Sequence, residues 1–100
     1  MLYNKLIRDN IPDIIAAKGE KAIIHVADLS EYKKKLDEKL MEEVGELLAG
    51  YEMAEMADVF EVLAAIAKVN GYDLAQVEQL RQEKKGQRGG FERRIILEES

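Results

Sequence analysis

Apolar side chains recur every three or four residues along the segment that follows Asp28, which is the spacing of one face of an α-helix. Asp28 with Glu31 three residues later is typical of a capping box at a helix start, and Gly50 marks the end of the pattern. We therefore predict a helix over residues 29–49. Its apolar face contains Leu29, Tyr32, Leu36, Leu40, Val44 and Leu47.

The same periodicity predicts three further helices. One runs over about 52–69 and is followed by Gly71 as its cap. Another runs over about 74–85 and begins after Asp73. A short helix near the N-terminus begins at a cap at Asp9 or Asn10, with Pro12 in its first turn, where proline is well tolerated. The chain is therefore expected to be mainly α-helical.

Two short segments have a different pattern, rich in β-branched residues and too short for a helix. They are residues 21–26, "KAIIHV", and residues 93–97, "RRIIL". We expect them to pair as a small β element beside the helices. No linker or repeat divides the chain, so residues 1–100 are predicted to form a single domain.

Acidic residues occupy positions in the helices where apolar residues are expected. At about 100° per residue, Glu43 falls about 20° from Leu36, in the middle of the apolar face of its helix. Glu46 lies at the edge of that face. On the next helix Glu55 is again central, and Asp58 lies beside it. These positions predict that carboxylates enter the contact between two helices.

A tight antiparallel turn at Gly50 would place Glu46 opposite Glu55 and Glu43 opposite Asp58. Four carboxylates would then converge, and without a compensating cation they would repel one another or take up protons. Carboxylate oxygens without His or Cys nearby favour a hard ion such as Mg²⁺, or Mn²⁺ in its place. The alternative, which the sequence leaves open, is a set of salt bridges to Lys or Arg of a neighbouring helix.

Composition narrows the chemistry further. The chain has no Cys and only one His, His25, so thiolate chemistry and His-rich metal sites are excluded. Its net charge of −5 disfavours a general nucleic-acid-binding protein. No apolar run is long enough for a membrane span, and the first residues do not form a secretory signal, so we expect a cytoplasmic protein.

The acidic motifs resemble those of a known superfamily. "EEVGE" at 42–46 and "EMAD" at 55–58 resemble the EExxE and ExxD signature of the all-α nucleoside triphosphate pyrophosphohydrolases, which include MazG, dimeric dUTPases and phosphoribosyl-ATP pyrophosphohydrolase. "YNKLIRDNIP" at 3–12 and "RGGFERRIIL" at 88–97 resemble the two ends of a small MazG-like group. Residues 47–54, which separate the acidic motifs, form a shorter gap than is usual in the superfamily.

The resemblance implies a function and a set of residues. It implies Mg²⁺-dependent hydrolysis of a nucleoside triphosphate to the monophosphate and pyrophosphate, in a house-cleaning role that removes non-standard nucleotides. Glu42 or Glu46 would accept the proton of the attacking water. The metal ligands would be Glu43, Glu46, Glu55 and Asp58.

Substrate binding requires positive charge, and Lys5, Arg8 and Arg88 lie within the two terminal segments that carry the resemblance. The resemblance also implies a helical bundle completed across a homodimer or homotetramer interface. Two alternatives remain: hydrolysis of phosphoribosyl-ATP, or a non-enzymatic helical dimerisation module that uses its acids for salt bridges between chains.

Overall fold

The computed structural model describes residues 3–100 and contains four α-helices in chain order. They are α1 (Ile11–Ala17), α2 (Leu29–Gly50), α3 (Met53–Val69) and α4 (Leu74–Arg88). The prediction of a mainly helical chain is confirmed, and the predicted bounds hold to within a few residues. The largest difference is at α4, which continues through its basic last turn to Arg88 rather than ending near residue 85.

Helices α2 and α3 form a hairpin with a very short connection. The Asp28 carboxylate accepts a hydrogen bond from the Glu31 backbone N–H at 2.8 Å, so the predicted cap starts α2. Gly50 is the last helical residue, and the left-handed residue that ends α2 is Tyr51, with φ 54°. Only Tyr51 and Glu52 separate the helices, and this fixes which residues of α2 and α3 face each other.

The hairpin encloses a thin core. Among residues 3–100, the buried apolar side chains are Leu36, Val62 and Ala67. The remaining buried residue in that part of the chain is the acid Glu43. Helix α4 contacts the end of α3 but leaves its own apolar residues largely exposed. Those residues are Leu74, Val77 and Leu80.

The predicted β element is wrong for the described part of the chain. No strand occurs within residues 3–100, and both 21–26 and 93–97 lack regular secondary structure. The side chains of Ile23 and Ile96 are mostly exposed. β-Branched composition favours a strand only where a partner edge and a face to cover are present, and a two-stranded ribbon in water is marginal. Neither segment has such a partner here.

The chain exposes much more surface than a compact monomer of its size. Its accessible surface is 9209 Å², whereas the general scaling for 11.4 kDa gives about 5,800 Å². The radius of gyration is 17.8 Å, against about 13 Å for a compact domain of this length. Within residues 3–100, no helix has both the length and the apolar character needed to cross a membrane.

Candidate metal centre

Glu43 is the buried acid at the centre of the α2–α3 hairpin. It is 7% exposed, which confirms the prediction from helical periodicity that it faces inward. Its Oε1 forms an ion pair at 3.1 Å with Nζ of Lys39, which lies one helical turn earlier on α2. Its buried Oε2 has no hydrogen-bond donor within the described chain. One half of a buried carboxylate is therefore left without compensation, which is costly.

Glu55, on the facing helix α3, has a similar unsatisfied atom. Its Oε2 is buried and likewise lacks a hydrogen-bond partner among residues 3–100. Two carboxylates from different helices thus each bury an oxygen with no donor. Buried carboxylate oxygens that lack a hydrogen-bond donor are suitable ligands for a hard divalent cation.

Asp58 and Glu42 lie at the edges of this group and are paired with the N-terminal segment. Arg8 donates to Asp58 Oδ1 at 2.9 Å, and Lys5 donates to Glu42 Oε1 at 3.1 Å. The hydrogen bond to the Glu42 carboxylate, reinforced by its charge, raises the pKa of Lys5. Lys39 also approaches Glu42 Oε1, at 3.8 Å. The N-terminal segment therefore contacts acids on both helices of the hairpin.

Glu46 lies one turn after Glu43 and is exposed. The negative charge of Glu43 is the main cause that raises the pKa of Glu46, and the charges of Glu42 and Glu55 add to the effect. The close approach of these negative charges therefore favours the protonated form of Glu46.

The structure brings most of the predicted site residues together, but not Arg88. All five acids of the two motifs, with Lys5 and Arg8, lie at the same part of the hairpin. Arg88 lies elsewhere, at the exposed end of α4, and forms no ion pair within residues 3–100. In that range, no three acidic or imidazole side chains are already arranged around a common metal position.

Sequence reasoning missed Lys39, whose side chain is only 17% exposed. The signal was present, because a residue four positions before Glu43 lies on the same helix face and within reach of it. It also missed the carbonyl of Asn4, which accepts a hydrogen bond from Lys35 Nζ at 2.7 Å and helps to hold the N-terminal segment on α2. Salt bridges do join several of these acids, but their cations come from α2 itself and from the N-terminal segment, whereas the alternative predicted cations from a neighbouring helix.

Comparisons with known proteins are sparse. No protein-family profile matches the chain, and no solved structure matches it. A curated relative from Mycolicibacterium smegmatis, described as an uncharacterized protein, is 47% identical over 45 residues, which is 45% of this chain and 46% of the relative. The aligned part therefore spans less than half the length of that relative.

Proposed function

We propose that the chain is a MazG-like, Mg²⁺-dependent nucleoside triphosphate pyrophosphohydrolase that releases a nucleoside monophosphate and pyrophosphate. The observation that carries this proposal is the buried Glu43, whose Oε2 has no donor in the described chain. It lies at a ligand position of the motif that the sequence resembles. The resemblance of the two terminal segments supports a house-cleaning role in the cytoplasm, directed at non-standard nucleotides.

The residues present fit a hard divalent cation. Glu43, Glu46, Glu55 and Asp58 would hold Mg²⁺, with Mn²⁺ as a substitute, because all four offer carboxylate oxygens. The unsatisfied oxygens of Glu43 and Glu55 support this assignment. When bound, the ion would neutralise charge on the phosphate oxygens and lower the pKa of a water molecule.

The chain's own residues supply the remaining steps. Lys5 and Arg8 would bind phosphate oxygens and orient the triphosphate, and Arg88 could join them only if α4 or a second chain brought it closer. Glu46 is the candidate for receiving the proton of the attacking water, because it is exposed and forms no ion pair within residues 3–100. Glu42 is the alternative, although Lys5 and Lys39 already occupy its Oε1.

A second copy of the chain would complete the fold. On α3 a row of exposed apolar side chains, which we call the α3 stripe, follows helical spacing. This face is free in the single chain, and the accessible surface of 9209 Å² leaves ample area for a dimer contact. We propose a homodimer, with a homotetramer as the larger form. The α3 stripe consists of Met53, Met56, Phe60 and Leu63.

A non-enzymatic helical module is the second candidate. It is favoured by one observation: Lys39, Arg8 and Lys5 form ion pairs with Glu43, Asp58 and Glu42. Such a module would use the acids for structure. It would tolerate neutral amides at Glu43 and Glu55 and would respond little to Mg²⁺.

The deciding experiment measures pyrophosphate release from a panel of canonical and non-standard nucleoside triphosphates and phosphoribosyl-ATP, with and without Mg²⁺. We expect Mg²⁺-dependent release, reduced about 100-fold or more in Glu43→Gln and Glu55→Gln. Glu61→Gln, at an exposed acid of α3, is the matched control and should retain activity. Preference for phosphoribosyl-ATP would select that alternative within the same enzyme class.

The same variants separate enzyme from module. For the enzyme, Mg²⁺ should raise the melting temperature of the wild type and of Glu61→Gln but not of Glu43→Gln. No metal-dependent release from any nucleotide, together with melting that Mg²⁺ leaves unchanged, would exclude the enzyme and leave the module.

A further inference from the structure

The N-terminal segment lies against acids of the α2–α3 hairpin, and two ion pairs join it to them. We call residues 3–10 the N-terminal strap. Lys5 pairs with Glu42 on α2 at 3.1 Å, and Arg8 pairs with Asp58 on α3 at 2.9 Å. The strap thus bridges both helices of the hairpin, at the acids that border the buried carboxylates.

The two strap pairs differ from the pair inside the hairpin. The side chains of Lys5 and Glu42 are 43% and 31% exposed, and those of Arg8 and Asp58 are 57% and 40% exposed. Exposed ion pairs are weak and exchange readily. The side chains of Lys39 and Glu43 are less exposed, at 17% and 9%. The strap pairs are therefore the ones that another cation can replace.

We propose that the strap is an exchangeable cationic cover of the metal centre, an inference that rests on the proposed function. With a divalent cation at the carboxylates, the Lys5 ammonium and the Arg8 guanidinium would be repelled and would leave Glu42 and Asp58. The released cations then bind the phosphate groups of the substrate. Metal and polyphosphate consequently favour each other's binding, and reciprocity requires the effect to be equal in both directions.

Contacts that do not depend on Lys5 and Arg8 also hold the strap, among them the hydrogen bond from Lys35 Nζ to the Asn4 carbonyl at 2.7 Å. Leu6 and Ile7 between the two cations are half-buried, so the strap keeps an apolar hold on the hairpin when its charges are released. A cavity of about 20 Å³ remains between Lys5, Lys39 and Glu42, among other residues. That volume holds about one water molecule, so the contact between strap and hairpin is incompletely packed.

The first test measures Mn²⁺ affinity by electron paramagnetic resonance in the absence of nucleotide. Because Lys5 and Arg8 compete with the ion, Lys5→Met and Arg8→Met should each bind Mn²⁺ roughly two- to fivefold more tightly than the wild type. With Mn²⁺ present, the double variant should bind inorganic tripolyphosphate about tenfold more weakly. Lys34→Met is the matched control and should change neither affinity. Lys34 is an exposed residue of α2 and forms no ion pair within residues 3–100.

The second test follows the strap itself. Trypsin cleaves after Lys5 and Arg8, and mass spectrometry of the intact wild-type chain reports both cuts. Mn²⁺ alone should accelerate these cuts, and adding tripolyphosphate should slow them again. Cleavage after Lys21, in the exposed segment before α2, is the internal control and should stay constant.

The outcomes separate this inference from the function beneath it. If the wild type binds Mn²⁺ but Lys5→Met and Arg8→Met bind it equally or less tightly, the strap proposal is overturned and the metal centre stands. Unchanged or slower cleavage at Arg8 on adding Mn²⁺ overturns it as well. If the wild type binds no Mn²⁺, both the strap proposal and the proposed function fail.

Discussion

Lys39 Nζ lies 3.1 Å from Glu43 Oε1 and engages one oxygen of a carboxylate whose other oxygen, Oε2, is buried without a donor among residues 3–100. The pair is local to α2, since the two residues are one helical turn apart. It explains how the chain tolerates a buried acid: Lys39 compensates one oxygen of the carboxylate, and the other oxygen is the one that the proposed cation would bind.

Replacing Lys39 with Met should destabilise the metal-free chain. The substitution leaves Glu43 as a buried charge without its partner, which costs about 1–3 kcal/mol in the free energy of unfolding. Urea denaturation followed by circular dichroism measures this loss. Mg²⁺ should restore more stability to Lys39→Met than to the wild type, because the ion supplies the missing positive charge. An equal effect of Mg²⁺ on both proteins would argue against a cation site at Glu43.

Replacing Glu46 with Gln should change how stability depends on pH. The charge of Glu43 raises the pKa of Glu46 above its ordinary value of 4.5, so the folded chain keeps this proton to higher pH than the unfolded chain does. Stability is therefore lost as pH rises from 4.5 through the raised pKa. Glu46→Gln avoids that loss.

Thermal melting in a chelator measures the difference between Glu46→Gln and the wild type. The variant should melt at higher temperature near neutral pH, and the gap should close as pH falls below 4.5. Glu61→Gln should show no such dependence. A difference in melting temperature that does not change with pH would mean that the neighbouring acids do not raise the pKa of Glu46.

Replacing Phe60 with Glu should disrupt self-association. Phe60 lies in the middle of the α3 stripe and is 66% exposed in the single chain, so the substitution costs little within one copy. Burying an unpaired carboxylate between two copies costs several kcal/mol, which weakens a dimer by at least about 100-fold. Sedimentation equilibrium measures the change. Lys34→Gln alters net charge equally and should leave association intact; a monomeric wild type would refute the dimer.

Sequence alone could predict what depends on local geometry. The inward position of Glu43 follows from the angle between residues on one helix, and the cap at Asp28 follows from a spacing of three. The pairing of Lys5 with Glu42 and of Arg8 with Asp58 joins positions 37 and 50 residues apart. No periodicity encodes such contacts, because the path of residues 3–10 across the hairpin decides them.

The β prediction failed for a related reason. β-Branched residues in 21–26 and 93–97 favour a strand, but a strand forms only beside a partner strand. Whether a partner is present depends on the whole fold. Helices need no such partner for their backbone hydrogen bonds. The four helices could therefore be located from the sequence, whereas the same kind of local pattern wrongly predicted a β element.

Residues 3–100 enclose a thin core with three buried apolar side chains. This core bears on whether the chain stays folded at low concentration. A hairpin that encloses so little has few internal contacts to oppose chain entropy, so docking with another copy would be part of folding itself. Dilution would then act as a denaturant. The unfolding midpoint should rise with protein concentration, and the amount of chain that a cell makes would determine how much of it is native.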